Sequence, residues 1–284
     1  MKHKQFICLN GRMLPAGEPS IMHVNRAFCY GDALFESIHA NGTRLQFFSS
    51  HYKRLINGMQ VLSMDRKSLP ESAVVESHLV RLLNKNHLYN GVRVRLSVFR
   101  NTGGLFTPED NSVSFLAETQ PLPEDIYGLN TKGLKAGVYS ALLKQTGMLA
   151  GLKTSNSLIY ILAGLYKKES GFDECFIMNT ERRLSEFISS NLFLVRKGII
   201  YTPELTEGCV AGIMREQIIR IARNEGIECI ESKLTTEDLN IADECFMTNA
   251  IKGIQWIVAF NQKRYYSKTS RLLVNALNKE QFPL

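Results

Sequence analysis

The chain has 284 residues, 44% apolar and 21% charged, with 34 Lys and Arg against 27 Asp and Glu for a formal net charge of +7. This balance belongs to a folded globular chain and excludes disordered, collagen-like and coiled-coil classes. No apolar run approaches the roughly 20 residues of a membrane helix, and MKHKQFICLN lacks the apolar stretch and cleavage site of a leader, so a cytoplasmic, non-membrane protein is expected.

The basic residues are spread thinly, with no basic run interleaved with aromatics, which argues against a nucleic-acid partner and for a solvated surface, with a site for acidic metabolites compatible. The six cysteines are scattered without a CxxC pair, so neither a zinc site nor a redox dithiol is indicated and no metal is expected.

In chain order, Tyr52, Leu55, Ile56 and Met59 repeat with helical spacing, and His51 and Arg54 lie one turn apart on the opposite face. Val75, Leu79, Leu82 and Leu83 mark a second helix. VRVRLSVFR (92–100) alternates as a half-buried strand, with Val92, Val94, Leu96 and Val98 on one side, and SVSFLAETQ follows as another. PLPEDIYG reads as a linker, giving a small domain over 1–118, a linker over 119–128 and a larger domain over 129–284.

Beyond the linker come a strand around Val138, the small-residue loop GMLAGLKTSNS, and a helix with Leu158, Ile161, Leu162 and Leu165 on one side. Strands follow at ECFIMNT and ISSNLFLV, the latter turning at RKG into IIYTP. GIMREQIIRIARNEG is a helix with Met214, Ile218, Ile221 and Ala222 inward, and ECFMTNA and GIQWIVAF are the last strands. Strands dominate both halves with helices irregularly placed, so two α+β domains are expected and a regular βαβ sheet is not.

Four places suggest chemistry. Lys153, among small and apolar residues before a helix, is either a surface charge or an amine activated by burial, as Schiff-base lysines require. In GCVAGIMRE, Gly208 and Gly212 open a helix whose first N–H groups suit an anion, although turn glycines are common there. Arg54 offers a fork for phosphate, or is an ordinary helix-face charge. Glu186 leads into an apolar strand, where a carboxylate either pairs with a protonated pyridine nitrogen or faces solvent.

Taken in order, NRAFCYGDALFES, HxxRL, LAGLKxxN, ExxxxNLF, KGIIYTPEL with GCVAGIMR, and DECFMTNA resemble the class IV (fold-type IV) pyridoxal-phosphate family, which includes branched-chain and D-amino acid aminotransferases and 4-amino-4-deoxychorismate lyase. The resemblance covers nearly the whole chain and implies the two-domain α+β fold of D-amino acid aminotransferase. It implies pyridoxal 5′-phosphate as cofactor, tethered by Lys153, with Glu186 at the pyridine nitrogen. Arg54, the backbone of Ile213 and Met214, and Asn249 would hold the 5′-phosphate.

GIMR carries Met214 where the family's aminotransferases have threonine, and with LAGLK and TNA it looks most like the lyase branch, which makes 4-aminobenzoate and pyruvate in folate biosynthesis. Phe35 and Glu36 of GDALFES also fit the transaminase pattern, so an amino acid aminotransferase is the alternative, and a noncatalytic cofactor-binding homologue is a third reading. A lyase substrate with two carboxylates needs two anchors, and Arg100 is the candidate for one; Phe35 is a candidate substrate contact. The resemblance further implies a homodimer, with NTGGLFTPED after Arg100 as the segment reaching toward the partner's site.

Overall fold

The computed structural model describes residues 5–18 and 21–282, so the extreme ends of the predicted domains, and the first four residues inspected for a leader, lie outside the described residues. The chain divides into two compact units, Met1–Ile126 with Lys153–Asn156, and Tyr127–Leu152 with Ser157–Leu284.

The first unit carries β1 (Phe6–Leu9), β2 (Arg12–Pro15), α1 (Arg26–Tyr30), β3 (Ala33–Asn41), β4 (Arg44–Leu45), α2 (Phe48–Val61), α3 (Ser72–Lys85), β5 (Gly91–Arg100) and β6 (Val113–Pro121). The strands form one antiparallel sheet in the order β2-β1-β6-β5-β3-β4. Its centre is β5, whose Val92, Val94, Leu96 and Val98 are buried as the alternation requires. Helix α3 packs on β1 and β6 through Val75, Leu79, Leu82 and Leu83, all fully buried and each contributing about 1.5–3 kcal/mol by leaving water.

Helix α2 departs from expectation. Its buried face is Phe48, His51, Leu55, Gly58 and Met59, so His51 lies among the core residues and not opposite them. A Cβ on Gly58 would stand 2.9 Å from Leu34 Cδ1, so glycine is what lets α2 lie close on β3.

The break between the units, at 126/127, lies inside the predicted 119–128 linker, but most of that segment is not a free linker. Residues 119–121 complete β6, Leu122 N–H donates to Gly91 O at 2.8 Å, and Asp125 Oδ1 accepts from Gly91 N–H at 2.8 Å, so most of the supposed linker is tied to β5. Tyr127 begins the second unit, buried with its hydroxyl donating to Ala250 O at 3.3 Å. Lys153 was expected in the larger domain, yet residues 153–156 cluster with the first unit. The reason is the free edge at the start of β3: Phe35 N–H donates to Lys153 O at 3.0 Å and Ser155 N–H to Ala33 O at 2.9 Å.

The second unit carries β7 (Leu134–Lys144), α4 (Leu158–Glu169), β8 (Glu174–Asn179), β9 (Leu184–Phe187), β10 (Asn191–Arg196), β11 (Ile199–Pro203), α5 (Ile213–Asn224), β12 (Cys229–Ser232), α6 (Thr236–Ile241), β13 (Glu244–Asn249), β14 (Gly253–Phe260), β15 (Lys263–Arg264) and α7 (Lys268–Gln281). Its nine-stranded mixed sheet runs β12-β11-β10-β13-β14-β7-β8-β9, with β15 beside β14 and with β7 parallel to both neighbours. Helix α5 buries Met214, Ile218, Ile221 and Ala222 as predicted.

Helix α4 packs on β7 and β8 through Ile159, Tyr160, Ala163 and Tyr166, while the stripe Leu158, Ile161, Leu162 and Leu165 is exposed. Both faces of this helix are apolar, so periodicity alone did not say which one the unit would cover.

An aromatic cluster anchors the second core. Phe176 is fully buried with its ring 4.4 Å from Phe187 and 5.8 Å, edge-on, from Phe260. Phe176→Ala is expected to cost about 3–5 kcal/mol through lost contact and the cavity left behind, read as a lower denaturant midpoint.

Candidate active site

In the first unit, β3 alternates so that Leu34, Glu36, Ile38 and Ala40 share the buried phase, which places a carboxylate in the core. A buried charge must be paired there. Arg54, on α2, donates to Glu36 Oε1 from Nε at 2.8 Å and to Oε2 from Nη2, and His51 Nδ1 lies 2.6 Å from Oε2.

Burial alone would raise the Glu36 pKa, but the Arg54 charge and the hydrogen bonds from His51 and Arg54 outweigh it and bring it down to about 2. His51 is pushed below its ordinary value, chiefly by burial, with the charges of Arg54 and Lys153 acting the same way against the pull of Glu36. Its Nδ1–H is therefore the donor to Glu36, and its buried Nε2 is left without a partner.

Both shifts make folding less favourable in acid than at neutral pH. Glu36 has its folded pKa depressed from 4.5, so its stabilisation is present above that value and lost as pH falls toward 2; a shift of this size corresponds to about 3 kcal/mol. His51 adds a loss beginning below about 6.5, where the unfolded chain protonates first. Denaturant midpoints should fall steadily between pH 6.5 and 3, and Glu36→Gln should be less stable at pH 7 with a flatter profile.

Lys153 Nζ lies 4.3 Å from the centre of the Phe35 ring, and the Arg95 guanidinium carbon lies 3.9 Å from the same centre. Phe35 thus stands against the candidate reactive amine. Arg100, expected as a carboxylate anchor, is buried: Nε donates to Asp32 at 2.9 Å, Nη2 to Leu62 O at 2.7 Å, and Nη1 to Asn111 and to Ser63 O. Its guanidinium is committed to holding the end of β5 to neighbouring loops.

In the second unit, Glu186 on β9 is buried and its carboxylate is well supplied with donors. Oε1 accepts from Lys144 Nζ and, at 2.6 Å, from the Tyr160 hydroxyl; Oε2 accepts from Val210 N–H at 2.9 Å. Burial and the Glu186 charge raise the Tyr160 pKa, which keeps its proton available for donation. A carboxylate offers about four acceptor positions, so Oε2 retains one more.

Gly212 caps α5 with extended backbone and no side-chain hydrogen bond, leaving the N–H groups of Ile213 and Met214 without intrahelical acceptors. Met214 is buried, and its thioether has no donor to offer an anion. Asn249 ends β13; its Nδ2 donates to Ser190 Oγ at 2.9 Å and its Oδ1 accepts from Ile251 and Lys252 N–H, so its side chain shapes this turn. Beside it, the buried Thr248 Oγ1 lacks a partner.

The first unit therefore carries Lys153 against Phe35, and Arg54 on Glu36, while the second carries Glu186, Ile213, Met214 and Asn249. Sequence reading missed His51 as a buried partner, Lys144, Tyr160 and Arg95. An acid on the core phase of β3 was a visible signal for Glu36 and its partners, and a lone cation closing the strand YSALLK was one for Lys144; Tyr160 and Arg95 had none. Among the described residues no cluster of three metal-ligating side chains occurs, and no helix is long and apolar enough to cross a membrane.

Comparison with known proteins adds three relatives. A putative branched-chain-amino-acid aminotransferase of Methanocaldococcus jannaschii is 28% identical over 252 residues, covering 87% of this chain and 85% of the relative. An aminodeoxychorismate lyase of Vibrio harveyi is 25% identical over 233 residues, covering 81% and 83%. The structure of the branched-chain amino acid aminotransferase of Thermobaculum terrenum, in its PLP (holo) form, shares the fold at a TM-score of 0.85 and 20% identity, covering 99% of this chain and 94% of that one. Branched-chain aminotransferases predominate among the most similar relatives. Residues 33–260 match the family model for class IV amino-transferases, and the chain is a member of that family.

Proposed function

We propose that this chain is a pyridoxal-phosphate-dependent aminotransferase that moves the amino group of a branched-chain or similar apolar amino acid to a 2-oxo acid. The observation that carries it over the lyase reading is the commitment of Arg100 to Asp32, Asn111 and backbone carbonyls, which withdraws the expected second carboxylate anchor. The predominance of branched-chain aminotransferases among its relatives supports the same choice.

The residues fit the cofactor. An uncapped helix start at Ile213 and Met214 with a glycine at its N-cap suits a phosphate, and the remaining acceptor position of Glu186 Oε2 suits a pyridinium N–H; the Arg54 fork, expected at the phosphate, is engaged by Glu36. When bound, pyridoxal phosphate supplies an electron sink for charge developing at the substrate α-carbon.

The rest falls to the chain. Lys153 Nζ is the amine that would hold the cofactor and, when free, would be the base that takes the α-proton. The Phe35 ring walls that amine and offers apolar contact to a substrate side chain. Glu186, gripped by Lys144, Tyr160 and the Val210 N–H, presents its charge in one orientation. A homodimer belongs to the proposal: the 101–110 loop is pinned by Arg26 Nη1 to the carbonyls of Gly103, Gly104 and Leu105, yet leaves Phe106 91% exposed, as a segment meant to be covered would be.

A second reading remains because Arg95 stacks on the ring that Lys153 also faces, and a guanidinium there suits a second carboxylate. The test offers branched-chain amino acids with 2-oxoglutarate, and separately 4-amino-4-deoxychorismate. New amino and 2-oxo acids support the aminotransferase; 4-aminobenzoate and pyruvate alone replace it with the lyase.

A further inference from the structure

In ExxxxNLF, Glu186 has a role in the proposed site and Asn191 has none. Asn191 opens β10 and is buried. Its Nδ2 donates to Val210 O at 2.8 Å, while Val210 N–H donates to Glu186 Oε2 at 2.9 Å. Both polar backbone groups of Val210 are thus held by side chains five residues apart on one β9-to-β10 connection.

The grip lies two residues before the N-cap of α5. A Cβ on Gly212 would overlap Asn191 Oδ1, so the amide also packs directly against the capping glycine. The loop is tied on either side: Gly208 takes the left-handed conformation at φ 86, Glu207 accepts from Asn179 at 2.7 Å and from Arg183, and Ala211 N–H donates to Gly151 O at 3.2 Å. Asn191 connects its centre to the sheet through a side-chain donor.

We propose that Asn191 is a positioning residue for the phosphate end of the cofactor. It fixes Val210–Gly212 so that the N–H groups of Ile213 and Met214 converge on one anion without rearrangement. This rests on the reading that the start of α5 takes the 5′-phosphate. Preorganised donors hold an anion more tightly than donors that must first be ordered, and a lost anchor is felt only by ligands that carry the anion.

The test compares two ligands on the full apo chain by equilibrium dialysis: pyridoxal phosphate and pyridoxal, which lacks the phosphate. The wild type should prefer the phosphorylated form. Asn191→Ala should weaken pyridoxal phosphate about tenfold while leaving pyridoxal within about twofold, so that the preference shrinks by the same factor. An unchanged preference overturns the proposal, as does a proportional loss for both ligands, which would make Asn191 merely structural. A wild type without any preference would instead remove the phosphate reading itself, and this proposal with it. Should Asn191→Ala not fold, Asn191→Asp keeps the shape, lacks the donor, and must show the same selective loss.

Discussion

Lys153→Ala should lower turnover by at least about three orders of magnitude and abolish stable retention of the cofactor's visible absorbance, with the fold unchanged. The amine is assigned two tasks, tether and base, and among the described residues no other lysine of the first unit lies over the Phe35 ring. The structural cost should be small. The pairing of residues 153–155 with β3 runs through backbone groups, Phe35 N–H to Lys153 O and Ser155 N–H to Ala33 O, which alanine retains. Added amines should restore some turnover if the loss is of the base, whereas near-normal turnover in the variant would remove the assignment.

Glu186→Gln should reduce kcat by roughly 10²–10³-fold with little change in KM, since the charge matters most where electron density moves toward the ring. It should also reduce stability. Lys144 is buried against this carboxylate, and removing the charge leaves the ammonium uncompensated at about 3–5 kcal/mol. The two effects can be separated. Glu186→Gln with Lys144→Met removes the orphaned charge and should recover much of the melting temperature without recovering kcat. Recovery of both would mean that Glu186 serves the fold alone, and a change in KM only would make it a binding residue.

Much of this protein was legible in its residues. Val75, Leu79, Leu82 and Leu83 on α3, and the alternating valines of β5, declare their elements because each repeats with a period that only one backbone geometry satisfies. The order of the motifs around Lys153 and Glu186 was enough for the family, because motifs at fixed order test the whole chain at once. The loop before α5 was legible too, since glycines at 208 and 212 answer local demands: a left-handed φ at one and a close approach at the other.

What the sequence left undecided depends on residues that meet only after folding. The stripe on α4 shows an apolar face but not what covers it, and the packed face is the adjacent one with Ile159, Tyr160 and Ala163. Residues 153–156 join the first unit because β3, more than a hundred residues earlier, has an unpaired edge there. Arg100 is taken by Asp32 and Asn111, and Glu36 by His51 and Arg54. Side-chain type announces that a buried charge needs a partner, whereas the choice of partner is set by which strands and helices the fold lays side by side.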